Sequence, residues 1–136
     1  MKVIFKNSSL VFLSKGERPK VTTYSIKSEG YLSIEGKIIK YPGYFFTNPI
    51  TLYPNSTIEL DNQSAVDVIP LSVFDEGISQ YRGLIRTESG TASLSKVNTT
   101  YTYTNNTKED MEVYVCYSGD ESTIKIDGEL LTKVVE

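Results

Sequence analysis

The sequence predicts an all-β protein, an antiparallel β-sandwich of jelly-roll type, and three observations carry that prediction. Apolar residues recur at every second position, while the spacing of an amphipathic helix is almost absent. Thr, Val, Ile and Tyr, residues that fit a pleated and half-buried surface, dominate the runs. Turn residues arrive at close, regular intervals and divide the chain into about a dozen short strands, which suits two packed sheets or a barrel and no α/β fold. The 136 residues fall within the range of one domain and suffice to bury a core, so residues 1–136 are read as a single unit.

Taken in order, KVIFK and LVFLS are short apolar runs separated by NSS. They read as an N-terminal hairpin within residues 1–15, with Val3, Phe5, Leu10 and Phe12 as its apolar members. After the polar GERPK break, VTTYSIK resumes alternation, and the register through Thr22, Tyr24 and Ile26 holds more apolar bulk than the one through Val21, Thr23 and Ser25. Glu35-Gly36 turns one short strand into the next, and Tyr41-Pro42-Gly43 makes another break. YFFTNPITLYPNSTIEL, Tyr44 to Leu60, reads as strand scaffold around a YPNST turn. Ile58 and Leu60 share one face there, Thr57 and Glu59 the other, and only the turn residues are open to a partner.

AVDVIPLSVFDEG is apolar on both faces and should lie centrally, although Pro70 removes a ladder donor and implies a bulge or an edge. Asp75-Glu76-Gly77 ends it. ISQYRGLIR, GTASLSKV and TTYTYT are further strands, and NNTKED is a loop. MEVYVCYS then places Met111, Val113, Val115 and Tyr117 inward with Tyr114 and Cys116 opposite. In STIKIDGELLTKVV, Asp127-Gly128 between two alternating runs is the clearest local signal, a two-residue type I′ hairpin.

Composition narrows the function classes. A formal net charge of -3, from 14 basic and 17 acidic residues spread along the chain, leaves no footprint for a phosphate backbone, so no nucleic-acid partner is expected. No apolar run approaches the roughly 20 residues that span a bilayer, so no membrane insertion is expected. Lys6, Asn7, Ser8 and Ser9 interrupt the opening apolar block too early for a secretory signal, and the Asn-x-Ser/Thr triplets at Asn7, Asn55, Asn62, Asn98 and Asn105 are read as turns. Without histidine, Ser-His-Asp and Cys-His nucleophile arrangements and His-based metal sites cannot be assembled from this chain. Cys116, the only cysteine, sits in an apolar strand pattern and reads as a buried structural thiol. Asp61, Asp67, Asp75, Glu76, Asp110 and Asp120 offer carboxylate pairs for a glycosidase in principle, but most lie at strand ends where Asp caps turns. Neither SGDES nor DEG has the ligand spacing of an EF-hand, and neither G-x-G-x-x-G nor G-x-x-x-x-G-K-[ST] occurs. The chain is therefore expected to be non-enzymatic and to need no cofactor and no metal.

Ten Tyr and five Phe with no Trp supply the positive clue, because tyrosine packs its ring while directing its hydroxyl to water or a polar ligand. Tyr101 and Tyr103 share a side of TTYTYT beside Asn105. They form a stacking platform for a sugar, or they line the core or a trimer interface. The same two readings apply to Tyr81 and Arg82, and to Tyr41 and Tyr44, all near turns.

GYFFTNPITL from Gly43, VIPLSVFDEG from Val68 to Gly77 and the late VYVCYS occur in that order. Over roughly Tyr31 to Ser118, a span of one sandwich-sized unit, the chain resembles small β-sandwich proteins of gut bacteriophages, crAss-like phages included. Those serve as fibre or head-decoration modules and have the look of carbohydrate-binding modules. The resemblance implies a virion structural protein, homotrimeric, bound to other virion proteins and touching a host-surface glycan through exposed loops. It assigns no binding residue to any position, and the tryptophan common in sugar sites is missing here. In this light the hairpin of Val3, Phe5, Leu10 and Phe12 is an attachment or assembly element, since a lone hairpin gains stability by docking.

Overall fold

The computed structural model describes residues 18–63, 69–85, 99–119 and 121–135, and all regular structure among them is strand. In chain order these are β1 (Thr23–Tyr24), β2 (Ile26–Glu29), β3 (Tyr31–Leu32), β4 (Ile38–Ile39), β5 (Tyr44–Thr47), β6 (Ile50–Leu52) and β7 (Thr57–Gln63). Then follow β8 (Leu71–Asp75), β9 (Gln80–Ile85), β10 (Thr99–Thr104), β11 (Met111–Ser118), β12 (Thr123–Ile126), β13 (Glu129–Leu130) and β14 (Thr132–Lys133). The attachment residues Val3, Phe5, Leu10 and Phe12, the GTASLSKV strand and the start of AVDVIPLSVF lie outside the described residues.

Two antiparallel sheets make the β-sandwich. The smaller has the order β10-β7-β12-β13; the larger runs β2-β5-β11-β8-β9, with β6 also on β11. β5 and β6 lie end to end along β11: Cys116 faces Phe46 and Tyr117 faces Phe45, while Met111 faces Leu52 and Val113 faces Ile50. At the Asn48-Pro49 break between them the ladder loses an acceptor, and the buried Thr47 hydroxyl takes the Val115 N–H at 3.0 Å instead. The β1–β14 pair is parallel, and β3–β4 form a separate hairpin.

The core sits where the alternation puts it. Ile50, Leu52, Ile58, Leu60, Leu71, Val113, Val115, Tyr117 and Ile124 meet between the two sheets. Each such aliphatic side chain contributes about 1.5–3 kcal/mol on full burial. A second cluster, Leu32, Phe46, Ile69 and Cys116, lies on the other face of β11, where Leu32 of β3 and the half-buried Ile38 of β4 pack against the large sheet. β11 is thus buried on both sides, which is why MEVYVCYS reads as an almost unbroken apolar run.

Local turn chemistry matches the sequence. Asp127 and Gly128 have φ of 51° and 85°, the pair of positive values a type I′ turn requires, and glycine takes its value without a Cβ penalty. Asp127 also locks the hairpin to β7, since its Oδ1 accepts the Thr57 N–H and its N–H donates to the Thr57 carbonyl, both at 2.9 Å. Tyr53 to Ser56 is closed by a 3.0 Å bond from the Ser56 N–H to the Tyr53 carbonyl, with Pro54 followed by Asn55 at φ 71° as a type II turn demands. The described part of VIPLSVFD is flanked by β11 and β9, as its apolar faces imply, and shows the bulge expected of Pro70. The described strand of VIPLSVFD starts only at Leu71, because Pro70 has no N–H to donate; its carbonyl still accepts the Cys116 N–H at 2.9 Å, and the register slips between Leu71 and Ser72. Phe74 departs from that two-sided burial, being 41% exposed and resting edge-on against Tyr81.

Candidate functional site

The five candidate ligand residues do not converge on one site. Tyr101 and Tyr103 stand opposite Leu60 and Ile58 in the β10–β7 register, so their rings share the inward face and pack, half-buried, against the core. They are core packing in place of an open stacking platform. Asn105 corrects its reading as a ligand residue more sharply, because it is fully buried and its amide is committed within the chain. Nδ2 donates to the Leu52 and Glu109 carbonyls at 2.8 and 2.9 Å, and Oδ1 accepts from the Thr107 N–H and hydroxyl at 2.9 and 2.7 Å. Tyr81, on the large sheet, is half-buried in an aromatic row with Phe46, Tyr114 and Phe74. Arg82 points the other way and donates to Asp75 at 2.6 Å; that bond and the Gly77 N–H hold the Asp75 carboxyl below its ordinary range.

Among the carboxylates, Asp61 and Glu59 share the outer face of the small sheet, where Thr100 donates to Asp61 at 3.0 Å and Lys125 pairs with it at 3.3 Å. The hydrogen bond to Asp61 raises the Glu59 pKa. With Lys125 paired to Asp61 and Thr100 donating to it, these carboxylates read as a surface network.

Three other tyrosines do gather. Tyr31, Tyr41 and Tyr44 contact one another with ring centroids 5.3 to 5.9 Å apart and planes inclined by 59° to 71°. Three chain segments build the cluster. The β2–β3 corner brings Tyr31; the Tyr41-Pro42-Gly43 turn brings Tyr41; β5 brings Tyr44. The turn is pinned from three directions, since the Gly43 N–H donates to Glu29 Oε2 at 3.2 Å, the Gly43 carbonyl accepts from Gly119 at 3.4 Å, and the Tyr44 carbonyl accepts from Gly30 at 2.7 Å. Tyr41 is 54% exposed, whereas burial raises the pKa of the Tyr44 hydroxyl. The sequence signal for this site is the pair of tyrosines flanking a Pro-Gly turn; Tyr31 is separated from them along the chain and joins only through β2–β5 pairing.

The opposite end of the β5–β6 line carries a cleft of about 1030 Å³ bordered by Arg18, Lys20, Tyr53, Lys108 and Asp127. Tyr44 and Tyr53 are nine residues apart along extended chain, up to about 30 Å at 3.3 Å per residue. Arg18 pairs with Asp110 and lies 4.3 Å over the Tyr53 ring, the Tyr53 hydroxyl donates to the Pro19 carbonyl at 2.7 Å, and Lys20 pairs with Glu129 at 2.9 Å. Residues 18–20 are thereby strapped to both sheets at this end.

Cys116 is fully buried beneath Leu32, and burial pushes its thiol up to about 12. A thiol reagent at pH 8 is expected to leave the folded chain unlabelled and to label it completely in denaturant; rapid labelling without denaturant would contradict the burial. The unfolded thiol ionises near 8.5 and the folded one near 12, so this group's contribution to stability is complete below the first value and declines as pH rises toward the second.

Comparison of the chain with protein-family models, with curated proteins and with solved structures returns no match.

Proposed function

We propose that this chain is a non-catalytic structural protein of a bacteriophage virion, a jelly-roll fibre or capsid-decoration module. In this reading it assembles as a homotrimer, attaches to other virion proteins through residues 1–15 and meets the host surface at its far end. The observation that carries the proposal is the polarity of the sandwich. Residues 18–20, which follow the proposed attachment element, are fastened at one end, and the exposed Tyr41 cluster is displayed at the other. Such polarity suits a display module, and repeated display turns weak single contacts into useful avidity. The gut-phage resemblance of GYFFTNPITL, VIPLSVFDEG and VYVCYS supports the virion setting.

Light scattering at micromolar concentration is expected to give three times the 15.2 kDa chain mass, and labelled antibody is expected to decorate intact particles. A monomer that decorates nothing removes the reading. The tyrosine cluster also favours a second one, a carbohydrate-binding module without a virion role, for which a monomer that binds glycans selectively is the signature.

A further inference from the structure

We infer that the Tyr31–Tyr41–Tyr44 cluster binds the terminal, uncharged pyranose of a glycan, one ring at a time, and not the flat side of an extended chain. The inference rests on the adhesive half of the reading above and names the ligand class of that surface.

The geometry argues for a one-ring footprint. A flat, extended saccharide needs aromatic rings that are coplanar and side by side, and no pair here approaches that, with interplanar angles of 68°, 59° and 71°. Tyr41 alone is more than half exposed; Tyr31 and Tyr44 flank it half-buried. The triangle of centroids, 5.3 to 5.9 Å on a side, is on the order of one six-membered sugar ring with its substituents, built from single bonds of about 1.5 Å. The site is also pre-organised. Pro42 fixes one backbone angle, and the bonds to Glu29, Gly119 and Gly30 hold the turn, so little freedom remains to be lost on binding.

Charge selects among sugars. The exposed Glu29 carboxylate spends one oxygen on the Gly43 N–H and keeps acceptor capacity beside the cluster, which suits the hydroxyl donors of a neutral sugar. An anionic terminal residue such as a sialic acid would meet that carboxylate as a like charge; the exposed Lys40, next to Tyr41 in the chain, is the cation that works against this, and Lys40→Ala should leave the preference for neutral termini in place. Lys108, in the cleft at the other end, plays no part in the cluster.

The test uses the full chain on immobilised oligosaccharides of three kinds: neutral-terminated chains, the same chains capped with sialic acid, and cellobiose beside cellohexaose as a short and a long flat β-1,4 chain. Binding to one or more neutral termini and its loss on capping are expected. Tyr41→Ala should weaken binding about tenfold or more, Tyr41→Phe should stay within about twofold because the ring remains, and Lys108→Ala should match the wild type. Because Tyr41 is exposed, an unchanged circular dichroism spectrum certifies the fold of each variant. Retention that rises about tenfold or more from cellobiose to cellohexaose, full binding by Tyr41→Ala, or conversion of the assembly to monomers by Tyr41→Ala each overturns the inference, the first by showing a footprint of several rings and the last by making the cluster a subunit contact. A trimer that decorates virions and binds no sugar overturns this inference alone. Selective binding by a chain absent from virions overturns the virion reading alone and keeps the sugar site.

Discussion

Asn105→Ala is expected to lower the unfolding free energy by about 3 kcal/mol, the largest loss from removing one polar side chain among those described. An unpaired buried polar group costs about 1–3 kcal/mol, and this truncation leaves the buried Leu52 carbonyl without its Asn105 donor while also removing part-buried bonds to the Glu109 carbonyl, which keeps the Thr107 hydroxyl, and from the Thr107 N–H. The backbone of the same residue ties the loop after β10 to the Tyr53–Ser56 turn, through bonds of 3.0 Å to the Ser56 carbonyl and 2.8 Å from the Asn55 N–H. Loss of the amide therefore loosens two loops together. Asn105→Asp keeps the shape and the Thr107 bonds but turns a carboxylate toward two carbonyl oxygens. It should be as damaging at neutral pH and partly restored in acid, where the protonated side chain donates again. Denaturant titration of both variants measures this, and a cost under about 1 kcal/mol for the alanine variant would contradict the assigned bonds.

Gly30→Ala is expected to cost about 3 kcal/mol or more and to take the tyrosine cluster with it. Gly30 has φ of +145°, and a Cβ there would lie 2.2 Å from the Ile39 carbonyl oxygen and 3.0 Å from its carbon. Both are backbone atoms of β4, so no side-chain rotation relieves the overlap, and the β3–β4 hairpin must shift off the large sheet. Thermal unfolding should report the lost stability, and near-ultraviolet dichroism the disturbed tyrosines. Gly43→Ala is the control. Gly43 also has a positive φ, 87°, but an added Cβ would meet nothing within 4 Å, so only conformational strain of about 1 kcal/mol is expected. Equal melting of the two variants would show that the Ile39 contact is not what demands glycine at position 30.

Much of the sandwich was legible because its signals are local. Alternation in MEVYVCYS assigns Val113, Val115 and Tyr117 to one buried cluster and Cys116 to the other, and Asp127-Gly128 and Tyr53-Pro54-Asn55-Ser56 carry their turns in residue chemistry. Strand order is not local. Nothing in the composition of β7 says that β10 and β12 flank it, and Tyr31 reaches Tyr44 only because β2 folds back on β5. Asn105 misled for a physical reason: an Asn-Asn-Thr run reads as exposed loop, yet an amide with two donors and an acceptor is what closes a loop over buried carbonyls. Tyr101 and Tyr103 were ambiguous until the β10–β7 register set them opposite Leu60 and Ile58.

The parallel pairing of β1 with β14 has a mechanical consequence. Thr132 and Val134 donate to Thr22 and Tyr24 at 2.9 and 2.8 Å, across the direction in which a tether at the start of the chain would pull. Tension drags one strand lengthwise past the other, and the rungs between them stretch in unison instead of opening singly like teeth. The straps of residues 18–20 precede that seam along the chain, so a pull on the segment before them loads those ion pairs first and the β1–β14 rungs next.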